Sequence, residues 1–257
     1  MSYALITGAS KGIGKSIAAE LAKKGYDILL VARSGSLLEA VAKELKNVYT
    51  IKVFFLATDL SKANSEAEVF QWCQSNNYTV SVLVNNAGYG LCGNFEDYEL
   101  TDNKNMMQLN MTTLVAMCQV FLPMLKQQPQ SYILNISGVI AHVAMPGMNL
   151  YAATKVFVLN YSRALKHELA GTSVSVSCLS PGATDTEFVS RAKIKEKALK
   201  AAKKVNMTAE EVATIGVQKM LAGKTEIVPG LINKLSVLFM NLLPKSFIEK
   251  TSAKIYK

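Results

Sequence analysis

The run Tyr151-Ala152-Ala153-Thr154-Lys155 sets a phenol and an ammonium four residues apart near the start of a helical segment. At that spacing both side chains project from one helix face. A free tyrosine has a pKa near ~10 and is a poor proton shuttle at neutral pH. A nearby lysine ammonium favours the phenolate, and ~1.4 kcal/mol of such attraction makes the phenol a tenfold stronger acid. The pair proves little by itself, although no other Tyr-x3-Lys occurs in the chain. Its weight comes from its company. Ser137 closes an apolar strand upstream, in Asn135-Ile136-Ser137-Gly138. From there its hydroxyl would sit beside the phenol and hydrogen-bond a carbonyl oxygen as charge develops on it. Asn110, in Leu109-Asn110-Met111, falls in the middle of a helical pattern, an awkward place for a residue of low helix propensity.

A second group of residues has the chemistry of a phosphate cradle. Gly8, Ser10, Lys11, Gly12, Ile13 and Gly14 lie between the first strand and the first helix, with the spacing Gly-x3-Gly-x-Gly. Glycines there let the backbone turn sharply and approach a pyrophosphate, and the helix N-terminus offers N–H groups and a positive dipole end. A plain tight turn is the other reading of a glycine cluster; placement at strand–turn–helix favours the dinucleotide. The second strand ends in Arg33-Ser34, with no acid before Glu39 and with Asp27 at the wrong end. NAD-preferring sites place an acid there to accept from the ribose hydroxyls. Arg33 instead offers paired N–H contacts to a 2′-phosphate, which Lys11 and Ser10 approach from the other side. The expected cofactor is NADP(H).

These residues need a frame. Short β-branched runs at Tyr3–Thr7, Ile28–Ala32, Ile51–Ala57, Val80–Val84, Tyr132–Ile136, Val174–Leu179 and Glu226–Val228 alternate with helical patterns. Their nearly continuous apolar character suits strands covered on both faces. The helical patterns include Ile13, Ile17 and Leu21 before a stop at Gly25, then Leu37 to Leu45. Two longer ones cover about 102–127 and 150–170, and a capping box opens another at Thr208-Ala209-Glu210-Glu211. Right-handed crossovers then predict an α/β fold with a doubly wound, seven-stranded parallel sheet of order 3-2-1-4-5-6-7. Ligands belong at the carboxyl ends of its strands. No repeat or linker divides the chain, so residues 1–257 read as one domain.

Taken together, the motifs resemble those of the short-chain dehydrogenase/reductase family. Thr7-Gly8-Ala9-Ser10-Lys11-Gly12-Ile13-Gly14 is similar to the family's cofactor turn, and Asn85-Asn86-Ala87-Gly88 to the stretch that stabilises its central sheet and borders the adenosine. The resemblance implies an Asn–Ser–Tyr–Lys set of Asn110, Ser137, Tyr151 and Lys155. In it Tyr151 is the acid/base, Ser137 polarises the carbonyl, and Lys155 acidifies Tyr151 and grips the nicotinamide ribose. Asn110 bends its helix and holds a water that relays protons. It further implies that Asp59, with Leu60, lines the adenine. Pro181, Gly182, Thr184 and Thr186, in a PGxxxT-like loop, would bind the carboxamide. The implied reaction is hydride transfer between nicotinamide and a ketone/alcohol pair. Other readings are a non-catalytic NADP(H)-binding sensor or scaffold, and a nucleotide-sugar epimerase or dehydratase. The intact acid/base set argues against the first, and the form of the glycine turn against the second. Family members commonly dimerise through the helices matching 102–127 and 150–170, so a homodimer or homotetramer is expected.

Bulk properties narrow the partners. Half the residues are hydrophobic and 18% are charged, with a net charge of +9. Seven basic residues meet only Glu196 between Arg191 and Lys204. No nucleic-acid motif accompanies them. The cysteines, Cys73, Cys92, Cys118 and Cys178, lack CxxC spacing, and His142 and His167 lack partners at metal-ligand spacing. Free thiols, no metal and a cytoplasmic location follow. Residues 188–207 are expected to form a substrate lid, mixing Val189, Ala192 and Ile194 with lysines. That mixture hints at an apolar substrate with an anionic handle, such as a 3-oxoacyl thioester; a steroid-like or simple ketone is another fit. Residues 229–257 read as an amphipathic extension. Its apolar residues never reach the unbroken run a spanning helix needs. It packs on the lid or a partner subunit, or lies on a membrane surface.

Overall fold

The computed structural model describes residues 2–184 and 206–256, the last five of them as helical backbone only. Seven parallel strands form one sheet: β1 (Tyr3–Thr7), β2 (Asp27–Ala32), β3 (Val53–Ala57), β4 (Val80–Asn85), β5 (Ser131–Ile136), β6 (Val174–Leu179) and β7 (Glu226–Ile227). Their order is β3-β2-β1-β4-β5-β6-β7, as expected. The direction of winding reverses between β1 and β4, which opens the crevice where such sheets take ligands.

Period-2 alternation builds two cores from one sheet. Ala4, Ile6, Leu30, Val82 and Leu134 face α1 (Gly12–Lys23), α2 (Gly35–Val48) and α7 (Ala209–Leu221). Leu5, Leu29, Leu83, Ile133 and Val176 face α3 (Ser65–Ser75), α5 (Thr113–Lys126) and α6 (Asn149–Glu168). Thr208 caps α7 reciprocally with Glu211, the capping box read from the sequence. Two strand expectations need correction. β3 starts at Val53 rather than Ile51, and as the edge strand it leaves Phe54 and Phe55 partly exposed. Sheet coverage is therefore complete only inside the sheet.

The helix expected over 102–127 is not continuous. α4 (Leu100–Met107) runs into a π-turn at Gln108–Thr112, and α5 resumes at Thr113. By length and composition this run, Leu100–Lys126, is apolar enough to cross a membrane. Its inner residues, Leu114, Met117, Phe121 and Leu125, are buried under the sheet. After β7 come α8 (Leu231–Leu242) and α9 (Lys245–Tyr256), the helical extension. The expected lid at 188–207 lies outside the described residues, apart from its last two positions. Met207 bridges to Thr184 beside β6.

Candidate active site

Six strand ends bring the expected residues to one edge of the sheet. The turn after β1 carries Gly8 to Gly14, Arg33 follows β2, and Asp59 follows β3. Asn86, Ala87 and Gly88 follow β4, Ser137 follows β5, and Pro181 and Gly182 follow β6. Thr186 lies outside the described residues.

The junction of β1 and β4 is laced by side chains. Thr7 Oγ1 accepts from the backbone N–H groups of Asn86 and Ala87, each at 3.0 Å, and donates to the Val84 carbonyl at 3.2 Å. Asn86 Nδ2 donates to the carbonyls of Thr7 (3.0 Å) and Gly8 (3.1 Å). Gly8, at φ +64°, sits so close that an added Cβ would meet Asn86 Nδ2 at 2.8 Å and Ala87 Cα at 2.9 Å. Only glycine satisfies both the left-handed backbone and that approach. Deeper in the sheet, Asn85 Nδ2 donates to Asn135 Oδ1 (2.9 Å), and Asn135 Nδ2 to Ser162 Oγ (2.9 Å). This fully buried polar ladder ties β4, β5 and α6 together, and sequence reasoning missed it. Its one signal was an asparagine inside the apolar run Ile133-Leu134-Asn135-Ile136.

Asn110 stands in the π-turn, almost fully buried. Its Oδ1 accepts from the Tyr89 N–H at 3.1 Å, and its Nδ2 donates to the Tyr89 carbonyl (2.9 Å) and Thr154 Oγ1 (3.1 Å). One amide thus clamps the loop after β4 to α6. The wider turn is what aims its side chain inward. Tyr89 and Thr154 were not anticipated; Thr154 lies one turn beyond Tyr151, on the same face. A Cβ on Gly88 would stand 3.0 Å from Asn110 Oδ1 and 3.6 Å from Lys155 Nζ, so the amide and the ammonium converge over that glycine.

Lys155 is buried, and its Nζ donates to the Ile136 carbonyl at 2.9 Å while lying 5.6 Å from the centroid of the Tyr151 ring. Desolvation lowers its pKa to about 8, against a small opposing effect of Cys178. Ser137 Oγ donates to the Lys155 carbonyl at 2.7 Å. Tyr151 is half-buried. Burial pushes its phenol above the usual tyrosine value. Desolvation is the cause of that rise, with the Lys155 ammonium set over the ring. The turn after Ser137, Val139–His142, is held to β7 by His142, whose Nε2 lies 3.4 Å from Glu226 Oε1, with Arg163 Nε 3.7 Å from the other oxygen.

The residues fit a nicotinamide dinucleotide on their own chemistry. Lys11 stands at the N-cap of α1 and has no side-chain acceptor to offer the first-turn amides, and no acidic residue lies in that first turn. The end of a helix so arranged is an anion site. Ser34 begins α2 likewise without a side-chain cap, beside exposed Arg33. Asp59 accepts from the Ser61 amide (3.0 Å) and hydroxyl (2.8 Å). Burial works against ionisation there, but these bonds and the charges of Arg33 and Lys62 hold its carboxyl below the usual range. Leu60 contributes its side chain to the core, and its carbonyl accepts from Thr113 Oγ1 at 2.7 Å.

A family model described as short chain dehydrogenase matches residues 2–198. Among similar proteins, an NADP-dependent 3-hydroxy acid dehydrogenase of Schizosaccharomyces pombe is 33% identical over 186 residues, 72% of each chain. A very-long-chain 3-oxoacyl-CoA reductase of Danio rerio is 29% identical over 225 residues, 86% of this chain and 69% of that one. The structure of a short-chain dehydrogenase from Sphingobium yanoikuyae in complex with NADPH superposes with a TM-score of 0.82 at 28% identity, covering 96% and 98% of the two chains.

Proposed function

The chain belongs to the short-chain dehydrogenase/reductase family, an oxidoreductase acting on CH–OH groups with a nicotinamide cofactor, and from that premise we propose that it is an NADPH-dependent ketone reductase. The observation that carries this reading is the convergence of Asn110 and Lys155 over Gly88, at the switch point of the sheet, with the Tyr151 ring 5.6 Å from the Lys155 ammonium. When bound, the nicotinamide would supply the hydride that reaches the carbonyl carbon. Tyr151 gives its proton to the carbonyl oxygen. Its phenol, raised by burial, holds that proton at neutral pH, as a proton donor must. Ser137 Oγ turns from the Lys155 carbonyl to hydrogen-bond the same oxygen. Lys155 holds the ribose from its seat on Ile136, and the Asn110 clamp fixes the helix that carries both Tyr151 and Lys155.

NADPH over NADH is supported by Arg33, Ser34 and Lys11, three polar groups around two helix N-termini with no carboxylate at the end of β2. A 3-oxoacyl thioester is the substrate class we favour. Relatives named as 3-hydroxy acid and 3-oxoacyl-CoA enzymes act on that 3-position, and the basic composition suits an anionic handle. The four buried free thiols suit a reducing, cytoplasmic setting, and the face of α6 where Phe157 stacks on Tyr161 suits a second copy of the chain.

The test is NADPH consumption by the purified chain against 3-oxoacyl thioesters, steroids, aldehydes and diketones, with Tyr151→Phe alongside. The variant should lose at least ~10²-fold in kcat while binding NADPH as the parent does. Activity within threefold of the parent would remove Tyr151 from the chemistry.

A further inference from the structure

Helix α8 is amphipathic in the reverse of the usual sense. Its inward face is Asn233 and Val237, with Asn233 Nδ2 donating to the Pro229 carbonyl at 2.8 Å. Its outward face is apolar: Leu231 is 72% exposed, Phe239 56% and Leu242 70%, with Ile232, Leu235 and Leu238 between them. The stripe continues through Leu243 to Phe247 at the start of α9. A soluble surface seldom shows a contiguous apolar patch of that kind unless something docks on it.

Charge and length indicate the occupant. Lys234, Lys245 and Lys250 are exposed along the stripe, and Glu249 is the only acid from Leu231 to Lys250. A second copy seated there about a two-fold axis would bring two sets of these lysines into one interface, with too few carboxylates to offset them. An anionic lipid surface complements both features, apolar depth and positive rim. At 12 residues α8 is about 18 Å long, short of the roughly 30 Å hydrocarbon core, so it lies on the surface rather than crossing it.

We propose that α8 and the start of α9 dock the protein on anionic bilayers, with the loop after β6 held against the inner face of the docked helix. The foot of α8 makes the second part specific. Asn233, on the inward face, packs against Gly182 so closely that no Cβ fits there, which seats α8 directly on the loop after β6. An apolar substrate dissolved in the bilayer would then enter from the side on which the protein sits. That last step rests on the reductase reading; the docking itself does not.

Sedimentation of the full chain with vesicles tests the docking without any turnover. The chain should pellet with vesicles containing phosphatidylglycerol and stay largely in solution with pure phosphatidylcholine. Leu238→Glu with Phe239→Glu, and separately Lys234→Glu with Lys245→Glu, should each weaken binding at least ~10-fold. NADPH oxidation with a soluble ketone should be unchanged in both variants. A parent that does not pellet, or variants that pellet as well as the parent, would overturn the proposal. So would light scattering that shows the parent as a dimer which the Leu238/Phe239 variant splits. A vesicle-binding chain that reduces nothing would leave docking standing and remove the reductase reading.

Discussion

Two single residues carry opposite kinds of information. Arg33 is exposed, makes no packing contribution to the core, and its charge reaches Asp59 across the ends of β2 and β3. The role proposed for it comes from the sequence alone, as a cation where an acid would select NADH. Arg33→Ala should weaken NADPH binding by about 1.5–3 kcal/mol, roughly 10–150-fold, and leave NADH binding almost unchanged. Equal losses for both, measured by fluorescence titration, would mean that Arg33 serves the adenine or the fold. Lys155 is the reverse case, a charge whose burial no spacing rule exposes. Its folded pKa, about 8, lies below the ordinary lysine value of 10.5. Between those values the unfolded chain binds more protons, so this group adds stability above pH 10.5 that is lost as pH falls through 8. Lys155→Met should therefore abolish reduction yet raise stability at pH 7 by up to ~3 kcal/mol, less whatever the bond to Ile136 contributes. The gain in Tm should shrink towards pH 10. A gain that is the same at every pH would show that packing, not the buried charge, is responsible.

At the level of elements, strand order and most helices were legible because buried parallel strands write long apolar runs and helices write a period near four. α3 was not: Glu66, Glu68, Gln71 and Gln74 dilute its pattern, leaving Val69 and Cys73 buried in the core with Phe70 and Trp72 packed partly buried against it. The π-turn was legible only indirectly, as an asparagine where a helix should not hold one. What the sequence could not display is its partnership with Tyr89 and Thr154, two residues separated from Asn110 by 21 and 44 positions. The direction in which the Tyr151 phenol moves was illegible for a related reason. Spacing places two side chains on one face but says nothing of how far burial desolvates the phenol. If the Asn110 clamp positions α6, Asn110→Ala should leave the Tyr89 backbone groups and the Thr154 hydroxyl short of a partner, at a cost of ~1–3 kcal/mol. The kcat should fall with it while NADPH affinity holds, since the phosphate contacts are elsewhere. Calorimetry and steady-state kinetics on the same preparation separate the two effects. Lost stability with an intact kcat would reduce Asn110 to a structural amide.

For the molecule as a whole, the sheet is complete before the tail begins. β7 ends at Ile227, α7 packs upstream of it, and among the described residues after Gly230 only Asn233 and Val237 are buried. The sequence showed an apolar extension and left its destination open between protein and membrane, because periodicity reveals an apolar face without revealing which way it points. A chain ending at Gly230 should accordingly remain folded and become more soluble. Its stability should fall by only ~2 kcal/mol for the lost burial, about 4–8 °C in Tm. Catalysis should suffer more than stability. Gly182 loses the Asn233 amide packed against it, and the loop after β6 is then free to adopt other conformations. We expect KM for a soluble ketone to rise about tenfold, a difference of ~1.4 kcal/mol, with kcat changed less. Asn233→Ala in the full chain should reproduce most of that rise without touching the exposed stripe. Aggregation of the shortened chain would place α8 in the core instead. A parent-like KM in both variants would separate the tail from the reacting loop and leave α8 a surface element alone.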